Sequence, residues 1–342
     1  MSTTVEEREQ IKIKYKPNDF KSDQDVRWCP GCEDYAILKA FQTALAEIGI
    51  AREKHAVISG IGCAARLPYY MTTYGFHTIH GRPIPVATGV KVANPELSVW
   101  VMTGDGDAIS IGGNHLIHVM RRNVDINILL FDNRVYGLTK GQYSPTSDRG
   151  TVNKSAPMGT IEEPAEPLAL ALASGATFVA RTSAAYVKHL VELIVEAHKH
   201  KGTSFIHIYQ NCYVYNDGVF DQFTEKDVRE DRNIVLEHGK PLLFGKNNDR
   251  GLKFKDGRIE IVEFKSGNPP DDITVYDETN LSLALSLSRL YWPEYPVPMG
   301  IFRRVQQPTF EDSIQAQIKR AKEKLSPDIN RLLYSGDVWE VK

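Results

Sequence analysis

The 342-residue sequence has little net charge, little cysteine and no long apolar run. Forty-one Lys and Arg against 43 Asp and Glu leave a formal charge of −2, which gives no support for nucleic-acid binding. No apolar stretch approaches the ~18 residues of a membrane span. The opening MSTTVEEREQIKIKYK lacks the apolar core of a secretory signal, so a cytoplasmic location is expected. Structural disulfides are not expected among the 4 cysteines of such a chain. Internal repeats and low-complexity segments are also missing. What is there, 42% hydrophobic and 25% charged residues, is the composition of a soluble globular protein. The length suffices for one large core or two ordinary ones.

The chain is organised around the stretch that begins Gly104-Asp105-Gly106-Asp107 and runs to Asn133. The pattern predicts a strand over residues 98–103, a tight acidic glycine turn, an amphipathic helix over 112–122 and a second strand ending Phe131-Asp132-Asn133. A carboxylate just past one strand and an amide just past the next meet at the carboxyl edge of a parallel sheet, where open α/β folds bind ligands. Asp and Asn oxygens are hard ligands that suit Mg²⁺. Glycines beside Asp105 let the backbone approach a phosphate, and the helix N-terminus beyond them points free N–H groups at it. An Asp-Gly turn that merely joins strand to helix is the bland alternative. The 26 residues between Gly106 and Asn133 count against it, because GDG, that interval and a strand-terminal Asn resemble the thiamine diphosphate signature.

Either side of this stretch the pattern alternates. Residues 1–27 are polar and of mixed charge, an N-terminal arm. Trp28-Cys29-Pro30-Gly31-Cys32 opens a helix with apolar Ile37, Leu38, Phe41, Leu45 and Ile48, stopped by Gly49. A buried strand over 55–59 leads into Gly60-Ile61-Gly62-Cys63-Ala64-Ala65, which fits the dinucleotide fingerprint. That fingerprint needs a carboxylate about 20 residues on, and His80-Gly81-Arg82 supplies none. Beyond Asn133 a glycine-punctuated loop runs to about Thr160, long for an ordinary connection. A helix over 167–174, a strand over 176–180, a helix over 184–199 and a strand over 204–209 complete an α/β pattern, a parallel sheet flanked by helices. Residues 28–216 therefore read as the cofactor-binding domain. Residues 217–342, with a hairpin at Asp256-Gly257 and helices over 281–290 and 310–325, read as an irregular extension that packs on the first domain or on a partner.

Cys29 and Cys32 form a C-x-x-C pair, which alone suggests a zinc knuckle, an iron–sulfur site or a redox dithiol. Cys63 and Cys212 each lie just beyond a strand, so all four could meet at one end of the domain. Structural zinc usually takes two local pairs, whereas one pair and two distant single cysteines suit a 4Fe–4S cluster. Ordinary burial of Cys63 and Cys212 is the competing reading.

WCPGC, SGIGC, HGR, GDGD-x-x-x-IGGNH, FDN-x-x-YGLTKGQ-x-SPT and the late single cysteine resemble the beta subunit of 2-oxoacid:ferredoxin oxidoreductases, of the 2-oxoglutarate type. The resemblance is dense over residues 17–220 and looser beyond. It implies that Cys29, Cys32, Cys63 and Cys212 bind one 4Fe–4S cluster. It implies Mg²⁺ ligation by Asp105, Asn133 and the main-chain carbonyl of Val135. Contacts to thiamine diphosphate are implied for Ile61, Gly62, Cys63, Ala64, His80, Gly106, Asp107, Gly137 and Leu138. Leu138 and Lys140 are implied at the reaction centre, with Lys140 meeting the distal carboxylate of 2-oxoglutarate. A solvated loop cation is the plain alternative for Lys140, and a backbone-bonded loop residue the plain alternative for His80.

The activity implied is oxidative decarboxylation of a 2-oxo acid, with coenzyme A taking the acyl group and a ferredoxin taking electrons through the cluster. The carboxylate that activates thiamine diphosphate has no candidate in this chain, and the family places it on an alpha subunit. A heterodimer or a dimer of heterodimers is therefore expected, without nucleic acid or membrane. Pyruvate or a broad range of 2-oxo acids is the alternative substrate. A non-oxidative thiamine enzyme would not need four converging cysteines, and a non-catalytic iron–sulfur or zinc scaffold would not need GDG and Asn133.

Overall fold

Strands that are apolar at every position, such as Val99-Trp100-Val101-Met102 and Ile128-Leu129-Leu130-Phe131, must be buried on both faces, as in a parallel sheet covered by helices. The computed structural model describes residues 12–325 and 328–341. Its main sheet has eight strands: β1 (His55–Ser59), β2 (Tyr74–His77), β3 (Ser98–Gly104), β4 (Asn127–Asp132), β5 (Phe178–Ser183), β6 (Ser204–Tyr209), β7 (Asn233–Leu236) and β8 (Val297–Arg304). Their order across the sheet is β2-β1-β3-β4-β6-β5-β8-β7. All neighbours are parallel except β8, which runs against β5 with Gly300 opposite Arg181. The architecture is the α/β fold read from the sequence.

Two helices cover one face. Helix α1 (Asp34–Ile48) buries Ile37, Phe41 and Leu45, and closes on Gly49, whose left-handed φ of 72° suits glycine. It packs with α5 (Val187–Lys199) over Trp100, Met102, Leu129, Phe131, Ile206 and Ile208. The other face, carrying Val99, Val101, Ile128, Leu130 and Phe205, lies under α2 (Pro83–Ala93), α3 (Gly113–Arg122), α4 (Pro167–Ala173) and α6 (Leu281–Ser288). Helix α7 (Phe310–Lys324) starts from a Thr309 cap and is exposed along nearly its whole length. Among the described residues no helix is long and apolar enough to cross a membrane.

Several elements differ from the sequence pattern. Helix α2 is hidden in the sequence because it carries Pro83 and Pro85, yet prolines in a first turn cost no hydrogen bond. Strand β5 begins at Phe178 and ends at Ser183, two and three residues later than expected, and Thr177 before it bonds through its side chain to Asn123 (2.7 Å) and His200 (2.8 Å). Helix α5 starts at Val187 rather than at residue 184, since the Ala184 N–H is taken by the Tyr209 carbonyl at 2.8 Å. The stretch around Pro298 carries no strand signal, but it enters the sheet as β8 while the Pro298 carbonyl accepts from buried Arg181 at 3.0 Å. Of the N-terminal arm, residues 1–11 lie outside the described residues. Further on, Ile13 N–H donates to the Gly49 carbonyl at 2.8 Å and Phe20 is wholly buried.

Three histidines are folded into this frame with little access to water. His55 accepts from Trp100 Nε1 at 3.4 Å, His198 stacks on the same indole, and His200 bonds Thr177. Burial lowers His55 to about 3 and His198 and His200 to about 4. Each stays neutral in the fold and gains a proton on unfolding, so its contribution is full above pH ~6.5 and fades as pH falls toward the folded value. His55 alone should remove about 2 kcal/mol by pH 5. Urea titrations at pH 7.5 and pH 5 should show that loss, and the His55→Gln variant should show a smaller one. Equal slopes with pH for both would refute it.

Candidate functional site

The crevice of this fold is set by connectivity. From β1 the chain passes to β2 on one side and reaches β3 on the other, so the carboxyl ends of β1 and β3 diverge and leave a cleft. Residues Ile61 to Ala64, His80, Gly106, Asp107, Gly137 and Leu138 all line it, together with Asp105, Asn133 and Val135. The sequence spreads these positions over 78 residues, from Ile61 to Leu138 counted inclusively, and the sheet gathers them.

Asp107 holds the cleft in shape. Its Oδ1 accepts from the main chain of Ile61 (3.1 Å) and Gly81 (2.7 Å) and from His80 Nδ1 (2.7 Å), and its Oδ2 accepts from Thr103 Oγ1 (2.7 Å). The carboxylate is buried, and donors from two loops and from strand β3 share it. With Nδ1 turned to Asp107, the Nε2 edge of His80 is the free one, on a side chain 37% exposed at the cleft. A Cβ on Gly60 would stand 2.0 Å from Asp107 Oδ2, so glycine is obligatory there. Gly106 is likewise closed to side chains by the Tyr136 ring, 2.1 Å from the position of a Cβ, and Tyr136 Oη donates to the Gly106 carbonyl at 3.1 Å. The turn after Asp105 is a wide π-type turn over Gly106–Ile111, closed by Gly112 N–H to the Asp107 carbonyl at 3.2 Å.

Asp105 is buried under two hydroxyls. Ser144 Oγ and Thr146 Oγ1 (2.7 Å) both donate to its Oδ2, and Thr146 Oγ1 lies 2.8 Å from Asp132 Oδ1 as well. One hydroxyl proton cannot serve two carboxylates. Burial, and then the Asp132 charge, pushes Asp105 up to about 7, whereas Asp132, despite its burial, is held below the usual range by His207. An ionised Asp105 is therefore costly without a counter-charge, which a cation bound there would supply. Asn133 is oriented by its neighbours: Nδ2 donates to Gln210 Oε1 at 2.8 Å, and Oδ1 accepts from Val135 N–H at 3.2 Å.

The four cysteines flank this cleft and are all free thiols. The Cys212 and Cys63 sulfurs lie 3.4 and 3.7 Å from where a Gly137 Cβ would be, and Gln210 Nε2 reaches Cys32 Sγ at 3.6 Å. Trp28 Nε1 donates to the Cys63 carbonyl at 2.8 Å and ties the C-x-x-C loop to that turn. Burial, and then the Asp34 charge, raises the Cys32 and Cys63 thiols, Cys63 to about 12. Only a bound cationic centre would hold such groups as thiolates. Among the described residues, no three or more His, Cys, Asp or Glu side chains are grouped so as to hold one metal ion.

A family model described as "Thiamine pyrophosphate enzyme, C-terminal TPP binding domain" matches residues 60–208. The chain is 45% identical over 332 residues to the 2-oxoglutarate oxidoreductase subunit KorB of Mycobacterium tuberculosis, covering 95% of this chain and 88% of that one. It belongs to the beta subunits of the 2-oxoacid oxidoreductases. This beta subunit is also 46% identical over 210 residues to subunit beta of 2-oxoacid:ferredoxin oxidoreductase 2 of Aeropyrum pernix, covering 61% of this chain and 68% of that one. Its fold matches the solved 2-oxoglutarate:ferredoxin oxidoreductase from Magnetococcus marinus with 2-oxoglutarate, coenzyme A and succinyl-CoA bound. The TM-score is 0.78 at 34% identity, over 96% of this chain and 98% of that one.

Some residues of the beta subunit's site carry no sequence signal. Ser144, Thr146 and Gln210 act through contacts 39 to 178 residues away, so no local pattern marks them beyond the SPT motif itself. Asp34, buried in the cleft wall with neither oxygen bonded among the described residues, is raised by burial to about 7. Lys140 is exposed, one residue beyond Thr139, which does line the cleft. Its backbone is left-handed (φ 76°), with its N–H on the Gly137 carbonyl at 3.0 Å, inside a hairpin that pairs Val135–Tyr136 with Gln142–Tyr143. The Asp107 clamp can be tested without any cofactor. Asp107→Ala leaves four donors, on two loops and strand β3, without their shared acceptor and should cost about 3–5 kcal/mol of unfolding free energy, with faster amide exchange at Ile61 and Gly81. A loss under ~1 kcal/mol would show that the clamp does not hold the cleft.

Proposed function

We propose that the chain is the cofactor-bearing beta subunit of a CoA-dependent 2-oxoglutarate:ferredoxin oxidoreductase. With its alpha subunit it would convert 2-oxoglutarate to succinyl-CoA and CO₂ and pass electrons to ferredoxin, in principle reversibly, in the cytoplasm. The observation that carries the reading is the single cleft at the β1/β3 crevice, which collects a hard-oxygen donor set on one side and borders the cysteines on the other.

The residues present fit the groups required. Asp105, the Asn133 amide oxygen and the Val135 carbonyl are the oxygen donors that Mg²⁺ takes, leaving positions for phosphate oxygens and water. Gly62 has nothing within 4 Å of where a Cβ would stand, so the wall beside Ile61 is open for a ligand to approach closely. Cys29, Cys32, Cys63 and Cys212 are free thiols, of which Cys63 lines that cleft and Cys212 and Cys32 stand beside residues that line it, and a 4Fe–4S cluster takes four thiolates. Thiamine diphosphate supplies an electron sink for decarboxylation, and a cluster accepts electrons singly. The chain's own part is to bind and orient. Asp107 fixes the His80 ring, Gln210 fixes the Asn133 amide, and Leu138 closes an apolar side of the cleft.

Co-purification with the alpha subunit, with metal, sulfide and thiamine analysis of the complex, tests the reading. Asp105→Ala should lose thiamine diphosphate, and Cys212→Ala should lose the reduced-cluster paramagnetic signal. Wild-type occupancy in either variant would sink the corresponding assignment. The 2-oxoglutarate type rests on Lys140, whose hairpin rises directly from residues lining the cleft. An ammonium facing the distal carboxylate in a partly desolvated pocket makes a charge-assisted bond of roughly 1.5–3 kcal/mol, which pyruvate cannot make. Lys140→Ala should therefore lower kcat/KM for 2-oxoglutarate about ten- to a hundredfold more than for pyruvate. Equal losses on the two acids would leave the substrate as an unspecified 2-oxo acid.

A further inference from the structure

Asp132 and His207 belong to neither the oxygen-donor set nor the cysteines, yet they form a buried hydrogen-bonded couple beside Asp105. Asp132 ends β4 and His207 lies on the adjacent β6, where Leu130 is paired with His207 and Asp132 with Tyr209. The two side chains therefore project from the same face of the sheet. His207 Nε2 is 2.8 Å from Asp132 Oδ2, and the residues are 1% and 2% exposed. The other oxygen of Asp132 faces Thr146 Oγ1 at 2.8 Å, and that hydroxyl faces Asp105 Oδ2 at 2.7 Å. His207, Asp132, Thr146 and Asp105 thus stand in one row, with the Thr146 hydroxyl between the two carboxylates and its single proton able to serve one of them at a time.

The line starts at a second cavity. His207, Asp132 and Thr146 line it with Arg134, Glu166 and Tyr291. His207 Nδ1 has no partner among the described residues, so the ring's only hydrogen bond there is the one to Asp132. A histidine buried in a strand interior with one ring nitrogen unsatisfied is costly, and the geometry of its other nitrogen says what it holds. Removing the ring would leave Asp132 held through Oδ1 alone, by the Arg134 N–H at 3.2 Å and the Thr146 hydroxyl, and so let it shift relative to Thr146 and Asp105. Thr146, which bonds the Asp105 carboxylate directly, is an outer partner of the kind whose loss typically lowers metal affinity about 10–100-fold, and Asp132 and His207 act on it in turn.

We propose that Asp132 and His207 are positioning residues for the divalent ion at Asp105, acting through Thr146. The proposal rests on the reading of Asp105 as a metal ligand. The test uses the alpha–beta complex stripped of metal and reconstituted with thiamine diphosphate, with Mg²⁺ and Mn²⁺ dissociation constants measured by calorimetry and Mn²⁺ paramagnetic resonance. His207→Phe should weaken Mg²⁺ binding roughly 10–100-fold. His207→Gln, which keeps a donor toward Asp132, should recover most of that loss. Thr146→Val should weaken binding as much, and the double variant should be little worse than either single one, because both act along one line. Mg²⁺ affinity within about twofold of wild type in His207→Phe, or additive losses in the double variant, would overturn the proposal. If His207→Phe fails to fold, Thr146→Val against Thr146→Ser decides: equal affinities refute the line, and loss only with valine supports it. Failure of the underlying reading looks different, since Asp105→Asn would then leave Mg²⁺ binding unchanged.

Discussion

One carboxylate, that of Asp107, holds two loops and strand β3 in register. Main-chain N–H groups from the turn after β1 and from the turn before α2, the His80 ring and the Thr103 hydroxyl all converge on it. Other bonds join the same segments, Thr78 N–H to the Ser59 carbonyl at 2.8 Å and His77 Nδ1 with the Ala65 carbonyl at 2.9 Å, and Asp107 gathers their inner edges at the cleft. Buried donors left without a partner are costly, so loss of this one carboxylate would loosen both loops together. The first strand of the sheet, the glycine turn and the histidine that faces the cleft are then positioned by one residue of the second GD pair.

How much of this is legible in the sequence depends on how local each feature is. The GDG turn, its strand and Asn133 can be read because strand, turn, helix and strand are consecutive, and parallel pairing of β3 with β4 brings their ends together without further information. Cys63 and Cys212 are readable as strand-end residues for the same reason. Ser144, Thr146, Gln210 and Asp34 are not, since a hydroxyl or carboxyl in a loop has no periodicity and its partner lies far off in the chain. The sequence motif marks Asp107 as a cofactor contact. It does line the cleft, but its oxygens are engaged by the chain's own donors.

The part beyond residue 217 illustrates the same limit at the level of the fold. Strands β7 and β8 complete the main sheet, and β8 runs antiparallel to β5, so no alternation of strand and helix announces it. Pro298 and Gly300 further blur its pattern. Arg181 shows how firmly the join is made. It is wholly buried, donates to the Pro298 carbonyl at 3.0 Å and lies against the rings of Tyr209, Tyr291 and Phe302. A guanidinium in such a place is tolerated only because carbonyls and aromatic faces of the later chain surround it.

The fit of Gly60 against the Asp107 carboxylate has an evolutionary reading. A methyl group at position 60 would occupy the space of that oxygen, 2.0 Å away, and Gly106 stands in the same relation to the Tyr136 ring. Neither member of either couple can drift alone. A lineage could gain a side chain at 60 only after surrendering the acid at 107, and so would pass through descendants with an unframed cleft. Such a barrier freezes both couples in place, whatever substrate the rest of the site comes to prefer.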